Sequence, residues 1–255
     1  MLVDGMNTMS DTGGAGVAVY HNMGAYQEIT YQTVGAPADT QSGGVVMNMV
    51  PKTGSNQVKG DGLGLFANGS MQATNLTDEL IAKGFKTTAK LDKLWDVNAS
   101  VGFPVLKDRI WWFSSVRNWT YNQFVANQFY ADGSQAEDDN ITKAYTNRMT
   151  TQLSQKNKLT LLYDKLPRSR YHSGIENGTS SPEATTRVNY DLAYVAQAKW
   201  TSTLSDRLLV EAGYSQGYYR ATFNYQDQSM LPSASNPLGA ISHLDSITGI
   251  TSIKI

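Results

Sequence analysis

The chain has 255 residues, no cysteine and a formal net charge of −1, with 40% hydrophobic and 17% charged residues. The near-neutral balance carries no electrostatic footprint for nucleic acid. The absence of cysteine removes disulfides, thiol catalysis and zinc–thiolate sites, and no apolar run approaches the ~18 residues of a membrane-spanning helix. An all-β protein remains, soluble or an outer-membrane barrel, and charged residues fall below the ~25% of ordinary soluble domains.

Met1-Leu2-Val3-Asp4-Gly5 has neither the basic nor the apolar region of a secretory signal. The C-terminal stretch 248–255 offers no turn or tail, so the sequence reads as a piece of a longer chain. Residues 1–56 are rich in Gly, Ser, Thr and Met, with short β-prone runs at 16–20, 26–33 and 45–50. From residue 57 the pattern shifts to longer alternating segments. Trp95, Val97, Ala99, Val101, Phe103 and Val105 alternate with Asp96, Asn98, Ser100, Gly102 and Pro104, which predicts a strand with one apolar and one polar face. Val188, Tyr190, Leu192, Tyr194, Ala196, Ala198 and Trp200 repeat the pattern, opposite Asn189, Asp191, Gln197, Lys199 and Thr201. Leu208, Val210, Ala212, Tyr214 and Tyr218 do so again, opposite Glu211, Gly213, Ser215 and Gly217. Weaker alternation predicts strands near 57–70, 109–124, 144–155 and 157–166.

The connections are more informative than any single strand. Tight turns are predicted at Leu106-Lys107-Asp108-Arg109, Ser154-Gln155-Lys156-Asn157 and Thr203-Leu204-Ser205-Asp206. Long polar loops are predicted near 72–93, 126–143 and 167–186. Short turns at one end and long loops at the other are the layout of a transmembrane β-barrel. All five Trp fall in predicted strands, as suits a membrane interface and equally a sandwich core. A compact Gly-rich segment before the first strand fits inside only a large barrel, of about 22 strands.

At Ser42-Gly43-Gly44-Val45-Val46-Met47-Asn48-Met49-Val50-Pro51-Lys52-Thr53-Gly54-Ser55-Asn56 the sequence resembles the plug-to-barrel junction of TonB-dependent outer-membrane transporters. Val3-Asp4-Gly5-Met6 is similar to an earlier plug strand of that family. Gly102-Phe103-Pro104-Val105, Lys107-Asp108-Arg109 and Trp111-Trp112-Phe113 resemble the first periplasmic hairpin of its Oar-like, large-loop branch. The resemblance implies that 1–56 is the C-terminal part of the plug domain. It implies that 57–255 is the N-terminal part of an antiparallel transmembrane barrel, about seven strands of about 22. The implied function is energy-coupled uptake of a large scarce substrate, not catalysis. The implied partners are outer-membrane lipid, the TonB complex for the full-length protein, and an unidentified cargo. The alternatives are a soluble extracellular β-sandwich binding module and an adhesion- or secretion-associated surface barrel. The resemblance marks Ser42, Gly43, Gly44, Asn48, Lys52 and Gly54 as junction residues.

Other chemistry is sparse. His21, His172 and His243 are isolated, without the His spacing of a zinc hydrolase. No catalytic residue, metal or cofactor is expected. The acidic run Asp132-Gly133-Ser134-Gln135-Ala136-Glu137-Asp138-Asp139-Asn140 lacks the EF-hand spacing and reads as a solvated outer loop. Thr77-Asp78-Glu79-Leu80-Ile81-Ala82-Lys83 predicts a short capped helix. Candidate lumen-facing substrate contacts are Asp96, Asn98, Asp191, Gln197, Lys199 and Glu211, read from the polar face of the strands.

Overall fold

The computed structural model describes residues 1–8, 20–33, 45–224, 226, 241–247, 249 and 251–254. Four short strands, β1 (Leu2–Val3), β2 (Met6–Asn7), β3 (Tyr26–Gln32) and β4 (Val46–Pro51), form one sheet in the order β2-β1-β4-β3. The pairing of β1 with β4 is parallel and the other two are antiparallel.

The second sheet is large and antiparallel. It comprises β5 (Lys59–Asn68), β6 (Lys90–Leu106), β7 (Ile110–Phe129), β8 (Gln135–Ser154), β9 (Asn157–Lys165), β10 (Arg168–Ser173), β11 (Thr186–Ser205) and β12 (Leu208–Asn224). Both β9 and β10 pair with β8 on one side and β11 on the other. They are therefore one strand interrupted at Leu166-Pro167, since Pro lacks the N–H a central ladder needs. The gap is bridged by Leu166 N–H donating to Ala193 O at 2.8 Å and Lys143 N–H donating to Pro167 O at 2.9 Å. The sheet is thus a meander with each strand beside its sequence neighbours, and the fold is all-β. A separate hairpin joins β13 (Ile241–Leu244) to β14 (Thr251–Lys254).

One end of the meander carries tight turns. Ser154 pairs with Asn157 and Ser205 with Leu208 across two-residue loops. Leu106 pairs with Ile110 across three residues, with Asp108 at φ 63°, a left-handed conformation that Asp tolerates. The last turn lies at Asp206-Arg207, slightly beyond its predicted place. The other end carries 69–89, with the predicted capped helix α1 (Asp78–Ala82), and 174–185, with two 3-10 turns. Thr77 caps α1 by accepting from Leu80 N–H.

The long loop predicted at 126–143 is not observed. β7 runs to Phe129 and β8 starts at Gln135, leaving a turn of residues 130–134. The acidic residues become strand because they acquire cationic or polar partners. Asp138 is buried and paired with Arg170, while Asp139 accepts from His172 at 2.7 Å.

The polarity of the large sheet is inverted relative to a soluble sandwich. On β6, Trp95 and Val97 are 50% and 51% exposed, while Asn98 and Ser100 are 8% and 9% exposed. The four-stranded N-terminal sheet covers the polar face. Val3, Ala25, Tyr26 and Met49 pack there against Phe113 and Leu162 of the wall. The apolar face stays open.

Candidate functional site on the covered face

Register fixes which side chains share the covered face, because directly opposed residues point the same way. Asp96, Asn98 and Ser100 oppose Trp119, Arg117 and Ser115, which oppose Thr142, Ala144 and Thr146. Thr146 and Arg148 oppose Asp164 and Leu162, which oppose Val195 and Gln197. Gln197, Lys199 and Thr201 oppose Ser215, Gly213 and Glu211.

Three polar networks join the N-terminal sheet to this face. In the first, Asn22 and Asn98 exchange amide hydrogen bonds of 3.2 and 2.7 Å, and Asn22 donates to Ser115 Oγ at 2.6 Å. In the second, Asp164, fully buried, accepts from Thr146 at 2.8 Å through Oδ1. Its Oδ2 lies 2.8 Å from His21 Nδ1 and accepts from the Tyr26 hydroxyl at 3.4 Å. Burial, and after it the Asp164 carboxylate, push the Tyr26 phenol well above its ordinary range, so the hydroxyl stays a donor. In the third, Arg148 pairs with Asp4 at 2.8 Å and donates to Pro51 O at 3.2 Å. Buried polar groups are tolerable where partnered, and these networks provide the partners. His21 Nε2 is a buried atom without a partner among the described residues.

Close backbone approach completes the contact. A Cβ on Gly217 would lie 2.2 Å from Thr8 O, and one on Gly54 would lie 2.4 Å from Trp112 O. Only glycine admits the N-terminal segment at these distances. Just past Gly54, Asn56 Oδ1 accepts from Asp108 N–H at 2.9 Å and Trp111 Nε1–H at 2.8 Å, so the junction grips the first tight turn.

Of the junction residues, Ser42, Gly43 and Gly44 lie outside the described residues. Asn48 sits on β4 and accepts from Gly5 N–H at 3.0 Å. Lys52 reaches across to Asp61 of the wall at 2.8 Å. The candidate substrate contacts are mostly occupied by protein. Asn98 is taken up by Asn22. Gln197 donates to Val3 O at 3.2 Å and Ser215 Oγ at 3.0 Å. Asp96 accepts a two-pronged contact from Arg117 at 2.8 and 2.6 Å, and Lys199 pairs with Glu211 at 3.2 Å. Asp191 departs from the expected face. It lies in a bulge between Asn189 and Leu192, is exposed, and borders a recess with Lys143, Tyr145 and Lys165 of the open face. The bulge's extra residue breaks the period-two alternation, so Val188 and Tyr190 are covered while Leu192 and Tyr194 face outward.

One cavity on the covered face, of about 250 Å³, lies toward the longer connections. Trp119, Tyr121, Asp138, Asn140, Arg168 and Arg170 line it, together with Tyr20 and Thr142. Sequence reasoning missed these residues. The signal was three short alternations, Trp119/Tyr121, Asp138/Asn140 and Arg168/Arg170, whose inward members become neighbours only once the strands are in register. No family model, no curated protein and no solved structure matches the chain.

Proposed function

We propose that the chain is part of a TonB-dependent outer-membrane transporter, with residues 1–56 the C-terminal part of a plug seated on the inner wall of the first barrel strands. The observation that carries this reading is the inverted polarity: an exposed apolar face and a polar face covered by a separate small sheet. A soluble sandwich buries its apolar faces against each other, whereas a large barrel turns them to lipid and fills or plugs a polar lumen.

Two further features support the reading. The apolar band of β6 from Trp95 to Val105 matches the ~9–11 residues a tilted strand needs to cross a bilayer. On the open face Tyr163, Tyr194 and Tyr218 stack across three strands with centroids 5.8 and 5.7 Å apart, as an interfacial aromatic row does. β5 and β12 each have an unpaired side among the described strands, and in a closed barrel further strands would pair there. On this reading the localisation is the outer membrane and the role is gated uptake, with the plug networks as the gate.

The test is depth-dependent quenching in liposomes of the full chain carrying Trp95 as its only tryptophan, the other four replaced by Phe. Bromine on the lipid acyl chains should quench Trp95 strongly and aqueous acrylamide weakly. The reverse order would favour a soluble module.

A further inference from the structure

The cavity beside Trp119 has a chemistry of its own. Its polar groups do not cancel. Arg170 is held by both Asp138 oxygens, at 3.0 and 2.9 Å, and by Glu176 at 2.7 Å. Arg117, whose guanidinium lies over the Trp119 ring 5.2 Å from its centroid, is held by Asp96. Arg168 has neutral partners: Asn140 Oδ1 at 3.0 Å and the Tyr20 hydroxyl at 3.3 Å. No carboxylate lies within ion-pair distance of it among the described residues. Its guanidinium also stacks over the Tyr20 ring, 4.6 Å from the centroid. A half-buried guanidinium held by neutral groups has no carboxylate offsetting it and has donors to spare for a planar anion.

The rest of the lining is aromatic or hydrogen-bonding, with no aliphatic side chain. Tyr20 and Trp119 meet at 6.2 Å with their planes 54° apart, giving an angled aromatic corner. That corner suits a ligand with one C–H face and a rim of hydroxyls. An aliphatic peptide side chain would find no aliphatic packing there. The volume lies below the ~300–1,000 Å³ of sites for drug-sized ligands, which points to a single ring unit.

We infer that this cavity is a subsite for an acidic saccharide, a uronic-acid-type ring whose carboxylate is taken by Arg168 and whose C–H face lies on Trp119 and Tyr20. The inference rests on the transporter reading only for its biological use, since it names the cargo that the covered face would take. The binding itself follows from the cavity.

The test is calorimetric titration of the full 255-residue chain, reconstituted in detergent micelles, with trigalacturonate and with its methyl ester. The ester removes the charge without altering the protein. The acid should bind saturably and the ester about 10- to 100-fold more weakly, the range for losing a charge-assisted hydrogen bond. Arg168→Gln should reproduce that loss for the acid and leave the ester unchanged, and Arg168→Lys should recover part of it. Trp119→Ala should weaken both ligands alike, by up to about tenfold. Equal affinity for acid and ester overturns the inference, as does a folded chain that binds neither. Tighter binding of a tripeptide with a free C-terminal carboxylate would overturn the saccharide assignment. The lipid-quenching measurement separates the two readings. A chain that binds the acid but is not quenched by brominated lipid keeps the subsite and loses the transporter. A chain seated in lipid that does not bind loses the subsite alone.

Discussion

Asp164 is an acceptor buried between two sheets, and it satisfies donors from both: Thr146 on its own wall, and Tyr26 with His21 from the N-terminal segment. An amide in its place retains one oxygen acceptor but turns an N–H₂ toward groups that need an acceptor. Asp164→Asn should therefore destabilise the protein by about 1–3 kcal/mol, the cost of leaving buried polar groups unsatisfied, read as a lower denaturant midpoint. Glycine gives a second case with its own control. The Gly217 Cβ position collides with the Thr8 backbone, whereas a Cβ on Gly64 meets nothing within 4 Å. Gly217→Ala should cost about 1–3 kcal/mol, as overpacking does, and loosen the Met6–Thr8 segment from β12. Gly64→Ala should be neutral or slightly stabilising, since it only restricts the unfolded chain. Equal effects of the two substitutions would show that the segment does not sit against β12.

At the scale of the element, β6 makes its own discriminating experiment. Val97 is exposed and its neighbour Asn98 is buried, so the two positions exchange the roles they would have in a soluble protein. An exposed Val on a soluble surface tolerates Arg with a change within about 0.5 kcal/mol. On a lipid-facing strand the same substitution should cost about 2–4 kcal/mol near the bilayer midplane. Unfolding of Val97→Arg from liposomes by denaturant should show the larger loss, and a near-neutral result would remove lipid from that face.

β6 was also the element most legible in the sequence, because eleven successive residues alternate and the register against β7 is unbroken from Lys93 to Pro104, so the faces are kept there. β11 was only half legible. Its alternation continues in sequence through Asp191, but the bulge between Asn189 and Leu192 rotates the preceding residues, and no residue type there announces it. The acidic stretch before Asn140 misled for a different reason. Charge density argues for a loop unless counter-charges arrive, and Arg170 and His172 come from a strand more than thirty positions away along the chain. The cavity was hidden likewise, assembled from four separate segments that only pairing brings together.

For the whole molecule, the described strands form an antiparallel meander with two edges, and its hydrogen bonding is uneven from the middle outward. β8 is paired along both sides, to β7 on one and to β9 with β10 on the other, and its inward residues from Ala136 to Thr150 are almost all buried. Among the described residues β5 and β12 pair on one side only. An edge strand leaves alternate N–H groups without a strand partner, and in hydrocarbon each such group costs several kcal/mol. Local opening should therefore be cheapest at the two ends of the meander and most expensive in its middle. Amide exchange of the full chain in micelles should show protection highest in β7 and β8, falling outward to Lys59–Asn68 on one side and Leu208–Asn224 on the other. The N-terminal segment adds an asymmetry. Asn7 O accepts from Ser215 Oγ at 2.7 Å and β2 lies against the covered face of β12, so β12 should exchange more slowly than β5. Protection as strong in β5 as in β8 would mean that the free edge is paired by another copy of the chain.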